Sequence, residues 1–517
     1  MRVAVTGITG NMGQATLAEL VRLEGIDAFR FLVLPTDRRI RKLLKKYSAF
    51  RDKFEILPGN LKDRETCDKL VAGADYVVNL AAVIPPHSDR DPQKAVDCNE
   101  IGADNLVSAI ESLETQPKLV HISTVALYGN RNSKHPWARV GDPLLVSPYD
   151  VYSATKLRGE FRVLESKVRT WAVLRQSAML HPNMLSDNIS DGLMFHTCFN
   201  APLEWVTAKD SGVLIANILK RDLAGELGGE FWKKVFNIGS LAENRLTGFD
   251  TLNDGFRLIG GSAKDFFDPT YNATRNFHGV WFYDGKRLEE LFSYQSQSAA
   301  EYWKEIARTH RYYKLGRLVP KKWISSLVIR RLFRSPNSPA YWAKHRDEAR
   351  LIAYFGSRGA YESLPAEWKA FPLLVEGKDE SGAPLDYETL RDPKTALLLD
   401  HGYDDRKPDE EITFEDLESV AAAHGGRLLS GSWLGEMYEP LEWQTQDGER
   451  FMASVFTVLR AGHWHNKIYR ENVWDFDRLS KKDKIYAGLW LNSHRADENY
   501  EYGMDAAFRA TIREEKN

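Results

Sequence analysis

The chain has 517 residues, 43% of them hydrophobic, with 70 Lys and Arg against 72 Asp and Glu. The hydrophobic content excludes general disorder, and the net charge of −2 argues against bulk nucleic-acid binding, though a local basic patch stays open. Three cysteines (Cys67, Cys98, Cys198) exclude a disulfide framework and a close-spaced zinc set.

In chain order, the opening reads strand, glycine loop, helix. Val3, Ala4 and Val5 form a short β run, Gly7, Gly10 and Gly13 follow, and Gln14–Leu23 has helical spacing with Leu17, Leu20 and Val21 on one face. Glycines suit this place because a dinucleotide pyrophosphate must touch the backbone at a helix N-terminus. Further buried strands are predicted at Phe31–Leu34, Phe54–Leu57, Tyr76–Leu80 and Lys118–Ile122, with helices near 38–47, 63–72 and 91–113. Such alternation predicts a doubly wound parallel sheet of Rossmann type that binds ligands at its carboxyl edge. No apolar run reaches the roughly 18 residues of a spanning helix, and the N-terminus lacks the apolar core of a secretion signal. A soluble cytoplasmic protein is expected.

Five motifs occur in order: Thr6-Gly7-x-x-Gly10-x-x-Gly13, Asn79-Leu-Ala-Ala82, Asn99-x-x-Gly102-x-x-Asn105-Leu106, His121-Ile-Ser-Thr124-x-x-x-Tyr128-Gly129 and Tyr152-Ser-Ala-Thr-Lys156. Together they resemble the extended short-chain dehydrogenase/reductase superfamily, the NAD(P)-dependent epimerases, dehydratases and reductases. Leu174-Arg175, Asp210 and Phe236-Asn237-Ile238-Gly239 match its later landmarks, so the resemblance covers roughly residues 1–310, with a substrate-binding lobe from about 175.

Tyr152 and Lys156, four residues apart, share one helix face. A phenol with an ordinary pKa near ~10 needs a neighbouring cation to act as a base at neutral pH. The resemblance implies that Lys156 supplies it and also holds the nicotinamide ribose. Thr124, with Ser123 as fallback, would donate to the substrate oxygen; Tyr149 is structural or substrate-lining. The expected cofactor residues are Gly7, Thr9, Gly10, Asn11, Met12, Gly13, Thr36, Arg38, Asn60, Leu61, Leu80, Ala81, Ala82 and Asn99, with Tyr152 and Lys156. Val83, Thr124, Ala126, Gln176 and Met179 are expected at the substrate. An acidic residue that would bind a ribose 2′-hydroxyl is missing from the end of the second strand. Asp37 comes two positions late, among Arg38, Arg39 and Arg41, which favours NADP over NAD.

Val125 and Ala126, next to Thr124, cannot perform the acid–base work of a sugar dehydratase. An epimerase would need groups for a nucleotide diphosphate; Asn183, Asn188, Arg245 and Arg275 are available, but none lies in a matched motif. Met179, Met184, Met194, Phe195 and Phe199 make the region after Arg175 apolar, as core packing or a hydrophobic substrate site. The reading is therefore an oxidoreductase that interconverts a carbonyl and an alcohol on an apolar small molecule. A nucleotide-sugar epimerase with tightly bound NAD is second, and a cofactor sensor or scaffold is the non-enzyme alternative.

Beyond about 310 the resemblance stops. Residues 311–350 hold eleven Lys or Arg against Asp347 and Glu348. Trp323, Ile324, Leu327, Val328, Leu332 and Phe333 recur there at helical spacing. Such a helix packs its stripe on the reductase domain, the favoured expectation, makes peripheral membrane contact through 321–334, or binds a partner or nucleic acid, the least favoured. Residues up to 400 read as an irregular connector. Residues 401–517 read as a small α+β domain, with a helix from Thr413 to His424 and a hairpin turning at Gln446-Asp447-Gly448. His463 and His465 lack identified partners for a metal, and none is expected. Neither is a nucleic acid. A homodimer through a two-helix face near the Tyr-Lys helix is expected from the resemblance alone.

Overall fold

The structure, a computed structural model, describes residues 1–185, 193–464 and 473–503. Seven strands form its central sheet: β1 (Arg2–Thr6), β2 (Ala28–Val33), β3 (Phe54–Pro58), β4 (Tyr76–Asn79), β5 (Lys118–Thr124), β6 (Trp171–Gln176) and β7 (Lys234–Ile238). They run parallel in the order β7-β6-β5-β4-β1-β2-β3. Val3, Val5, Val78, Val120 and Leu174 are fully or nearly fully buried, as strands covered by helices on both faces must be. The order reverses direction between β1 and β4, so the carboxyl ends of these two strands open a crevice for a ligand. This is the Rossmann-type α/β fold expected from the strand–helix alternation.

Three helices matter for the site. Helix α1 (Asn11–Leu20) follows the glycine loop, α2 (Gly102–Glu111) continues a wider π turn at Val96–Ile101, and α3 (Val151–Leu164) carries the Tyr-Lys pair. A small mixed sheet of Ala178–Leu180, Pro202–Thr207 and Arg245–Thr247 builds a lobe over the carboxyl edge.

In the C-terminal part, the helix Phe414–Ala423 begins in a reciprocal cap between Thr413 and Asp416. Strands Pro440–Gln444 and Arg450–Ser454 pair antiparallel, with Gly448 at φ +85° in their turn. These elements share one hydrophobic core with the Rossmann sheet. Trp171 of β6 meets Phe456 and Tyr438 edge-on at 6.0 and 6.3 Å. On α3, Phe161 packs against His463 and Glu165 accepts hydrogen bonds from Ser454. The side of α3 that carries Phe161 and Glu160 is thus covered by the chain's own C-terminal segment.

The basic stretch is split between two environments. Ile329 is buried, and Ile324, Leu332 and Phe333 pack on a cluster around Phe195, Phe266 and Tyr271, as internal docking requires. Trp323, Leu327 and Val328 remain exposed. Among the described residues, no helix is long and apolar enough to cross a membrane.

Candidate active site

The glycine loop is shaped for close approach of another backbone. Gly7 sits at φ +69°, and a Cβ there would lie 2.7 Å from the backbone of Leu80 and Ala81; one at Gly13 would lie 2.3 Å from the Gly7 carbonyl. Neither collision has a flexible side chain to relieve it, so both positions demand glycine. The Thr6 hydroxyl donates to Asn79 Oδ1 (2.6 Å) and accepts from the Ala81 N–H (3.1 Å), which ties the loop to the segment after β4. Helix α1 starts with no side-chain cap and no acidic residue in its first turn. Its N–H groups and positive dipole end therefore face the crevice uncompensated, the environment a pyrophosphate requires. The cradle fits a dinucleotide.

A cleft of about 520 Å³ runs from this loop across the carboxyl edge into the lobe. Gly7, Gly10, Asn11, Met12, Gly13, Leu80 and Ala82 line its first part, followed by Ser123, Thr124, Tyr152, Lys156, Gln176 and Met179. Other expected residues lie off this wall. Asn99 is buried, where its side chain bonds both the N–H and C=O of Val83 and the Thr155 hydroxyl, so it braces the cleft from behind. Ala126 is buried in the turn that Thr124 caps. Leu61 is buried with its carbonyl accepting from Asn105, and Asn60 accepts from the Lys62 N–H. Ala81 holds the loop through its backbone, and Thr36 and Arg38 are exposed. The group that reaches the glycine loop from β2 is Asp37. It accepts from the Thr9 hydroxyl (2.6 Å) and from Arg39 (2.7 Å), whose guanidinium holds the carboxyl far below the ordinary range.

The reacting end is set by β5 and α3. Thr124 ends β5, and Asp150 caps α3 by accepting from the Ser153 N–H (2.9 Å). Burial pushes the Tyr152 phenol up to about 12, and the Thr124 hydroxyl bonded to it offsets only part of that rise. Lys156 donates to the Ile122 carbonyl at 2.6 Å, and burial pulls its ammonium down to about 8. Without a bound nicotinamide, the phenol is therefore protonated at neutral pH. The Ser123 hydroxyl, also on the wall, is buried with no hydrogen-bond partner among the described residues, which leaves it available to a bound oxygen.

The lobe end is apolar, with Met184, Leu252, Phe256, Ile259 and Trp303 on its wall. Of the described residues, Lys156 is the only lysine or arginine that lines the cleft. Arg245 is buried against Glu204, and Arg275 is bonded to Glu498 and to the backbone carbonyls of Ile352 and Ala353 in the helix Glu348–Phe355. Asn183 donates to Asn11 at 3.2 Å; Asn188 lies outside the described residues. Sequence spacing gave no sign of His278, which lines the cleft and bonds Asp150 (2.9 Å) across 128 residues. Tyr149, at φ +65°, stacks on Tyr354 beside a second cavity of about 100 Å³. His463 bonds Glu160 at 3.0 Å, and His465 lies outside the described residues. No group of three or more metal-ligating side chains occurs among the described residues.

A parallel sheet in this order, a glycine cradle at a bare helix N-terminus and a Tyr-Lys pair beside a threonine define a dinucleotide-binding α/β domain. Residues 3–169 match the model of the NAD dependent epimerase/dehydratase family. Over 165 residues the chain is 30% identical to UDP-glucuronate 4-epimerase 4 of Arabidopsis thaliana, which covers 31% of this chain and 36% of that one. Over 176 residues it is 30% identical to dTDP-glucose 4,6-dehydratase of Mycobacterium tuberculosis, 34% of this chain and 50% of that one. The chain thus spans about a third to a half of the curated relatives it matches. Among solved structures, dTDP-glucose 4,6-dehydratase of Streptomyces venezuelae with NAD and TYD bound is 21% identical, with a TM-score of 0.48 over 61% of this chain and 98% of that one.

Proposed function

We propose that the chain is an NAD-dependent oxidoreductase that interconverts a carbonyl and an alcohol on an apolar, uncharged small molecule. The observation that carries this reading is the cleft wall, which past Lys156 is mostly apolar and has no lysine or arginine among its described residues. The relatives are named for UDP- and dTDP-sugars. A nucleotide diphosphate needs cationic partners, and Arg245 and Arg275 are already committed elsewhere. Asp37 supports NAD over the NADP expected from the neighbouring arginines, because a carboxylate beside the glycine loop accepts from a ribose hydroxyl and repels a 2′-phosphate.

When bound, the nicotinamide ring supplies the capacity to accept or give up a hydride. The protein's part is to place and hold protons. Tyr152, protonated at neutral pH, donates to the substrate carbonyl oxygen, and the Thr124 hydroxyl donates a second hydrogen bond to it. Lys156, steadied by the Ile122 carbonyl, holds the ribose hydroxyls, and Gly7, Gly10, Gly13 and the α1 N-terminus hold the pyrophosphate. Met184, Leu252 and Trp303 exclude water from the far end of the substrate.

The test is turnover by the full chain with NADH or NADPH against a panel of apolar ketones and aldehydes, and separately against UDP-glucuronate and dTDP-glucose. Reduction of an apolar carbonyl with NADH preferred is the expected result, with Tyr152→Phe at least about 100-fold slower. Conversion of a nucleotide sugar with NAD retained through the cycle would overturn the reading in favour of an epimerase. Unaltered cellular function in Tyr152→Phe would point instead to sensing or scaffolding.

A further inference from the structure

Residues 311–334 carry eight cations (Arg311, Lys314, Arg317, Lys321, Lys322, Arg330, Arg331, Arg334) and no carboxylate, in a chain whose net charge is −2. The same stretch exposes apolar side chains that a water-facing surface does not need. Tyr312, Leu315, Leu318, Val319, Trp323, Leu327 and Val328 are all exposed, Leu318 by 81%. They are seven of the fifteen large apolar side chains exposed among the described residues, so exposure is concentrated here and not scattered over the surface. The inner side of the stretch is anchored: Ile329 is buried, the Ser325 hydroxyl donates to the Phe266 carbonyl (3.2 Å), and Lys321 pairs with Asp265 (2.9 Å). What faces outward is a fixed ridge of aliphatic and aromatic groups among cations.

We propose that residues 311–334 seat the protein on the surface of an anionic lipid bilayer. Charge complementarity selects this occupant. A second copy of the chain would bring eight cations against eight. A nucleic acid would satisfy the arginines, but would give Leu315, Leu318, Leu327 and Val328 nothing apolar to enter. A bilayer interface accepts both, with cations at the headgroups and apolar side chains at the acyl boundary. Docking is peripheral, since no described helix is long and apolar enough to cross. Tyr313, within the stretch, lines the lobe end of the active-site cleft beside Ile259 and Trp303. A protein seated this way holds that end of its cleft toward the lipid.

The experiment is co-sedimentation of the full chain with vesicles of phosphatidylcholine alone or with phosphatidylglycerol added, at low and at raised salt. The bound fraction should be at least about tenfold higher on the anionic vesicles and fall with salt. Trp323→Ala with Leu327→Ala, both well exposed, should lower binding about tenfold with unaltered thermal melting, and Lys322→Glu with Arg331→Glu should do the same. Equal binding to both vesicle types, or no loss in the Trp323/Leu327 variant, overturns the proposal. So does heparin binding that survives loss of the apolar pair, which indicates a nucleic acid, or a dimer in solution that the apolar variant dissolves, which indicates a second copy. Solution turnover of a water-soluble ketone should be unchanged in the Trp323/Leu327 variant, so failure here is separable from failure of the proposed reaction.

Discussion

Lys156 is held in the folded protein at a cost. Its ammonium is buried, with the Ile122 carbonyl as its hydrogen-bond partner, and its pKa falls from the ordinary 10.5 to about 8. Between those two values the unfolded chain binds a proton that the folded chain does not, so this residue makes stability rise with pH from about 8 to 10.5. Below pH 8 both states are charged, and the folded state carries a penalty of about 3 kcal/mol at most. Lys156→Met removes that penalty. We expect the variant to melt higher than the wild type at pH 7, by about 1–3 kcal/mol, with the difference shrinking toward pH 10.5. Thermal unfolding of both proteins across that range checks it; a variant less stable at every pH would mean that the Ile122 hydrogen bond outweighs the burial of charge. Loss of cofactor binding in the same variant would give Lys156 its place at the ribose.

At the scale of elements, α3 and β6 are joined to the C-terminal segment by a buried polar network. Arg175 donates to Glu160 (2.6 Å), to the Tyr128 hydroxyl (2.6 Å) and to the Ala461 carbonyl (2.7 Å). Tyr128 donates to Asn237 (2.8 Å), and His463 bonds Glu160 (3.0 Å). Burial would raise the Glu160 pKa, but the Arg175 charge and His463 outweigh it and keep the carboxyl ionised. Glu160→Gln would leave the Arg175 cation buried without its counter-ion, and should destabilise the protein by about 3–5 kcal/mol in denaturant unfolding. A loss below about 1 kcal/mol would mean that water reaches the site. The sequence showed the cradle, α3 and the Thr413 cap because each depends on residues a few positions apart, where spacing translates directly into geometry. The hairpin at Asp447-Gly448 was legible for the same reason. The Arg175 network and the His278–Asp150 pair were not, since their partners come from distant segments and no local pattern marks them. Asp37 was visible but misjudged: two extra residues after β2 turn its carboxyl back onto Thr9, which a count of positions from the strand end does not reveal.

For the whole molecule, the C-terminal segment packs against the outer side of α3 and shares its core. It covers Phe161 and Glu160 of α3, and Glu165 just past its end, with His463 and Ser454. We expect sedimentation equilibrium in the absence of lipid to return the mass of a single 59.0 kDa chain. A species of twice that mass would instead support the homodimer that the resemblance implies.

The same embrace fixes an order of events during synthesis. Glu160 and His463 lie 303 residues apart, yet share one buried hydrogen bond. At about 5–20 residues per second, a ribosome needs on the order of 15–60 s to travel between them. Throughout that interval, Trp171, Arg175 and the outer side of α3 are already made but have no lid. Until His463 and its neighbours emerge, that side of the core stays open as apolar surface, the kind that makes incomplete chains prone to aggregate.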